Sequence, residues 1–191
     1  MIEDLLERLA RGSETWDLEL RLTGDCAAGL HIPDRWSVTR QGSGGLGDRL
    51  VRAMEAARGA AVERLVVLGA DAPLLPRALV AGAFSALEQR VAVVAPAEDG
   101  GYALIGLALG SARPEQLARL FQGIPWGAEG VLAATRAAAS GAGLGLAELP
   151  TQWDVDRPED LCRLARALAA PDQAARAPRT ARLLAGLQEN R

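Results

Sequence analysis

The sequence predicts an α/β sandwich on a mostly parallel central sheet, and three features carry that expectation. Short continuous apolar runs recur, as in "ERLVVLGADAP", which Gly69 and Asp71 end, and in "VAVVAP" and "YALIGL". Amphipathic stretches of helical period lie between such runs, and strands alternating with helices build parallel sheets covered on both faces. One segment, "WDLELRL", alternates strictly, with Trp16, Leu18, Leu20 and Leu22 on one face and Asp17, Glu19 and Arg21 on the other. Such alternation marks a half-buried strand toward a sheet edge.

Taken in order, "MIEDLLERLAR" spaces Ile2, Leu5, Leu6 and Leu9 along one helix face, with acids early and Arg late, as the helix dipole favours. After the alternating strand and a Gly/Pro-containing connection, "QGSGGLGDRLVRAMEAARG" reads as a glycine loop entering a helix from about Gly47 to Arg58. "ERLVVLGADAP" is a strand buried on both faces, followed by the helix "RALVAGAFSALEQR". "VAVVAP" and "YALIGL" are two more buried strands. Helical patterns follow near 113–121 and 127–140, then a strand near 144–149 and a helix from Arg157. From Pro171 the chain is Ala/Arg-rich and helical. At 191 residues one core is expected, with a domain over 1–170 and a helical tail over 171–191.

The net charge of −3 argues against a nucleic-acid binder, which usually carries a basic stripe. All 21 basic residues are Arg, so no lysine Schiff base or P-loop lysine is available, and phosphate contacts fall to guanidinium groups and backbone N–H groups. No run is apolar enough to span a membrane, and Met1 is followed by Glu3 and Asp4 rather than a basic leader, so the expected location is cytoplasmic. Cys26 and Cys162, without CxxC spacing, read as reduced, small buried side chains, and the single His31 has no metal-binding partners in sequence.

Four segments carry candidate chemistry. In "GADAPLLP", Asp71 ends a buried strand, and open α/β sheets bind ligands beyond the carboxyl ends of their strands. The alternative is that Asp71 caps the following turn or helix. In "QGSGGLGDRL", Gly42, Gly44 and Gly47 match G-x-G-x-x-G. The preceding "RWSVTR" is a poor buried strand, so a generic phosphate or nucleotide loop at a helix N-terminus, where free N–H groups and the dipole favour anions, fits better than a dinucleotide fingerprint. In "TQWDVDRPEDL", Asp154 and Asp156 are two apart in an extended segment, so both carboxylates share a face and suit one hard cation; alternatively Asp156 caps the helix that follows. In "FQGIPWGAEGVLAAT", Trp126, beside Gly127 at the start of a helix, either stacks on a sugar or base or packs like any Trp.

In this order, "VVLGADAPLLP", "EDGGYALIGL", "FQGIPWGAEGVLAATR" and "WDVDRPEDL" resemble the small bacterial glycosyltransferase-A-like family, catalogued as a domain of unknown function. That family is similar to nucleotide-diphospho-sugar transferases and more distantly to guanylyl- and cytidylyltransferases. The resemblance covers roughly Gln41 to Leu161. It implies a Rossmann-like three-layer sandwich, a nucleotide or nucleotide-sugar partner and a divalent cation, Mg or Mn. Carried over by position, Asp71 resembles the strand-end metal-binding acid, with Asp154 and Asp156 as further metal ligands and Asp71 and Asp99 as the catalytic pair. Gln41, Gly42, Gly44, Gly47, Arg49 and Ala70 fall on the nucleotide side. Gly100, Gly101, Tyr102, Trp126 and Gly127 fall on the substrate side, and one of the glycines after Asp99 is expected at positive φ. Family members begin with a further strand and a basic Thr-Arg-Leu loop, whereas this chain starts at the helix that would follow, and Gly45 stands where the pattern has an acid. The expected activity is sugar transfer from a nucleotide-sugar. The alternatives are nucleotidyl transfer with release of pyrophosphate, and a non-catalytic binding or scaffold relative. An exposed sheet edge would favour a homodimer.

Overall fold

A computed structural model describes residues 1–12, 16–24 and 29–189, with backbone alone for 188 and 189; Cys26 lies outside the described residues. The chain forms two compact units, one of 1–40, 70–77 and 154–191, the other of 41–69 and 78–153.

The second unit holds a four-stranded sheet in the order β3-β5-β4-β6, with β3 over Arg64–Leu68, β4 over Ala92–Pro96, β5 over Tyr102–Ala108 and β6 over Leu146–Glu148. Strands β4 and β6 pair in parallel, while β5 runs antiparallel to both β3 and β4. Three strands therefore share a direction and β5 alone opposes them. The cause is local: only 97–101 separates β4 from β5, too short for a parallel crossover. On one face, Val94, Ile105 and Leu107 pack with Met54 of α2 (Leu46–Gly59), Leu117 of α4 (Pro114–Ala118), Leu120 in the following 3₁₀ turn and Leu132 of α5 (Val131–Gly141). On the other face, a Cβ at Gly106 would stand 2.7 Å from Val93 and 3.1 Å from Leu87, just beyond α3 (Arg77–Ala86). Helices thus cover both faces, and the α/β layering expected from the sequence is present.

The first unit holds α1 (Ile2–Ala10), a parallel pair β1 (Leu18–Leu22) and β2 (Trp36–Arg40), and α6 (Pro158–Ala167), α7 (Pro171–Arg176) and α8 (Pro178–Glu189). Helix α1 buries Asp4, Leu5, Leu6 and Leu9. Asp4 accepts hydrogen bonds from the Arg179 and Thr180 backbone N–H groups, at 3.0 and 2.8 Å, and from the Thr180 hydroxyl at 2.6 Å, fastening α8 to α1. The Arg77 guanidinium lies 4.2 Å over the Trp16 ring and donates to the Leu9 carbonyl.

Several elements differ from their sequence reading. Segment 36–40, read as a poor buried strand, is a strand whose last four residues are exposed, so it carries no apolar signature. Its partner β1 sits in a two-stranded ladder of its own rather than at the edge of the larger sheet. All five β3 residues are half-buried rather than buried, because β3 is the outer strand of its sheet. Helix α5 starts at Val131 with Gly130 as its N-cap, four residues later than periodicity suggested. Cys162 is exposed, not buried.

Candidate functional site

In the first unit, the acids are arranged by backbone first. Asp71, exposed, lies just past the end of β3, and its carbonyl accepts the Val155 N–H at 3.0 Å. Val155 separates the two acids read as a same-face pair, and carboxylate oxygens of Asp154 and Asp156 do lie within 4.8 Å of each other. Among the described residues that spacing does not extend to the Asp71 carboxylate, and Asp71 meets this segment through its own carbonyl, bonded to Val155 between the pair. Among the described residues no hydrogen bond reaches the Asp71 carboxylate, so the capping role open to it is not taken up.

The capping role open to Asp156 belongs to its neighbour. One oxygen of Asp160 accepts the Arg157 N–H at 2.8 Å and the Asp156 N–H at 3.1 Å, satisfying free donors at the start of α6. Asp160 thus holds the Asp156 backbone in place. The signal for it was present in "DRPED", an acid three residues after the cap position. Two carboxylates at this spacing, one half-buried and one exposed, form a hard-oxygen donor set that suits Mg²⁺ or Mn²⁺.

In the second unit, 97–101 is a tight turn. The Gly100 N–H donates to the Ala97 carbonyl at 3.2 Å, and the Ala97 N–H donates to the Gly101 carbonyl at 3.0 Å. Asp99 accepts the Gly101 N–H at 2.8 Å through Oδ1, and Gly100 sits at φ 90°, the left-handed conformation expected for one of the two glycines. The Gly100 carbonyl in turn accepts the Leu132 N–H at 2.9 Å, in the first turn of α5. Asp99 is exposed with one oxygen committed to the turn.

The glycine loop before α2 is laced by that helix. Arg49 donates to the Gly44 carbonyl at 3.1 Å and to Gln41 Oε1 at 3.2 Å, and Arg52 to the carbonyls of Gln41, at 3.2 Å, and Ser43. Gly42 and Gly44 have φ 80° and 93°, so the loop needs glycine there. The Asp48 carboxylate accepts the Gly45 N–H at 2.9 Å and so brings a negative charge to the helix N-terminus. A phosphate is disfavoured beside it; a neutral base or ribose is not. Arg52 and Asp48 were not singled out from sequence, although both lie within one or two turns of the glycines.

Trp126 is half-buried and meets Tyr102 edge-on, with ring centroids 6.2 Å apart at 84°. Among the described residues the buried Tyr102 hydroxyl has no partner within hydrogen-bond geometry, and the nearby Thr135 hydroxyl donates to the Val131 carbonyl at 2.9 Å. Burial pushes the Tyr102 phenol well above its usual range, with the Thr135 hydroxyl pulling slightly the other way. Gly127, at φ 78°, lies in the turn before α5, not at its start, and Ala70 is exposed next to Asp71.

Residues 6–128 match the family described as uncharacterized protein conserved in bacteria, DUF2064. A crystal structure of a "putative nucleotide-diphospho-sugar transferase" from Desulfovibrio desulfuricans G20 is similar at TM-score 0.83 and 33% identity, over 99% of this chain and 79% of that one. A cytidylyltransferase from Leptospira borgpetersenii shares the fold at TM-score 0.55 and 15% identity, over 88% of this chain and 75% of its own. A search of curated proteins gave no match.

Proposed function

Because the chain belongs to the DUF2064 family of bacterial proteins, we propose that it is a divalent-cation-dependent transferase taking a sugar from a nucleotide-sugar donor to an acceptor. The description of the Desulfovibrio protein, similar over nearly the whole of this chain, supports the nucleotide-sugar class. The observation that carries the reading is the acid arrangement of the first unit, with Asp154 and Asp156 paired within 4.8 Å and the Asp71 backbone bound to the residue between them.

Asp154 and Asp156 hold the cation, and Asp71 acts from beside them, its carbonyl bound to the Val155 N–H that lies between the pair. A bound Mg²⁺ or Mn²⁺ supplies charge neutralisation for a departing diphosphate. In the second unit, Gln41, Gly42, Gly44 and Arg49 form the wall for the nucleoside, placed by the lacing to α2. Asp99, its carboxylate fixed by Gly101, orients an acceptor or sugar hydroxyl, and the bare backbone of Gly100 and Gly101 admits the ring closely.

Calorimetric titration of the protein with nucleoside diphosphates and nucleotide-sugars, with and without Mn²⁺, tests this. Metal-dependent binding that Asp156→Ala and Asp71→Ala both weaken is the expected result. Folded protein silent across the panel would sink the proposal. Release of pyrophosphate from a nucleoside triphosphate would move the assignment to nucleotidyl transfer.

A further inference from the structure

Gly47, the third glycine of the loop motif, is the only one of its three at negative φ, so its need for glycine is not conformational. It is buried in the first turn of α2, and a Cβ there would stand 2.6 Å from the Phe121 carbonyl oxygen and 2.8 Å from Trp126 Nε1. Side chains do not sit at such distances, so only glycine lets α2 seat against the indole. Across that indole lies the Tyr102 ring, edge-on at 6.2 Å. Tyr102 is the first residue of β5 and directly follows the Gly100–Gly101 step.

Trp126 therefore touches the helix that laces the glycine loop on one side and the residue that ends the acid turn on the other. We infer that Trp126 is a positioning residue, a strut between the glycine loop and the Asp99 turn, which fixes them in one arrangement for a nucleotide-sugar. This rests on the transferase reading for its purpose but not for its geometry. The Trp126 backbone is fixed in its turn, its N–H donating to the Ile124 carbonyl at 2.9 Å, and the edge-on pair with Tyr102 adds a favourable aromatic contact to the half-buried indole. A disturbance at Gly47 then has a route to Gly101, more than fifty residues on in sequence, through the Trp126 and Tyr102 rings.

Amide hydrogen exchange on the full chain reads this directly. The reporters are the Gly45 amide, bonded to Asp48, and the Gly101 amide, bonded to Asp99, with the buried β4–β5 ladder as reference. Gly47→Ala is expected to speed exchange at both reporters about five- to tenfold, the scale of one lost aromatic contact, with the reference unchanged. Trp126→Phe retains an aromatic edge for Tyr102 but withdraws from α2, so Gly45 should loosen while Gly101 stays protected. A Gly47→Ala effect confined to Gly45, or a uniform rise that includes the reference, would overturn the strut. Should Gly47→Ala fail to fold, the Trp126→Phe split decides alone, equal effects at both reporters counting against it. Nucleotide titration of the unmodified protein separates the two readings, because silence there removes the transferase while leaving the exchange result standing.

Discussion

Asp4 shows how one side chain can hold an element in place. It is 2% exposed, and burial alone would raise its pKa, yet the hydrogen bonds from Thr180 and Arg179 outweigh that and hold it below the ordinary carboxylate value. A group whose folded pKa is depressed contributes stability above its unfolded pKa and loses that contribution as pH falls through the folded one. Urea unfolding should therefore show stability falling below pH about 4 in the native protein, with that fall reduced in Asp4→Asn. Asp4→Ala should cost about 3 kcal/mol at neutral pH, since it strands the donors of Thr180 as well as removing the acceptor. Tyr102→Phe should go the other way: its buried hydroxyl has no well-formed hydrogen bond among the described residues, so removing it should leave the unfolding free energy unchanged or slightly higher. Sequence showed Asp4 only as an acid in the first turn of a helix. Its partner lies 176 residues away, beyond the reach of any periodicity.

At the level of elements, apolar spacing and continuous apolar runs located most segments that bury a face, though not the start of α5. Helices α1, α2, α3 and α6 and strands β3 to β5 lie where the apolar spacing put them. Strand β2 escaped because an exposed strand has no pattern to read, and the burial of β3 was overestimated because apolar runs do not reveal which strand is outermost. The start of α6 was placed correctly, but its cap was sought at Asp156 when Asp160 supplies it. Asp160→Ala should therefore lower stability by about 1 kcal/mol, the usual size of a helix cap. It should also weaken Mn²⁺ binding severalfold in a direct titration, because the backbone of one acid of the pair hangs from that carboxylate. Unchanged metal affinity in a folded Asp160→Ala protein would dissociate the cap from the acids.

For the molecule as a whole, the α/β class and the family were legible from four short motifs in a fixed order, because those motifs mark strand ends and turns whose chemistry is local. The grouping of segments into two units was not, since it depends on contacts between the first forty residues and the last forty. Deleting 171–191 should accordingly strip Asp4 of its Arg179 and Thr180 donors and uncover the α1 face that meets α8, and thermal unfolding should move down by several degrees, separating into two transitions if the second unit outlasts the first. The division also bears on biosynthesis. The second unit lies wholly within 41–153 and has every strand of its sheet before the final helices are made. The first unit cannot close until Thr180 has cleared the ribosome, so Asp4 of α1 waits for that partner while the next 176 residues are made. Over that interval the face of α1 that meets α8 stays uncovered in the nascent chain, a surface on which a holding chaperone could act.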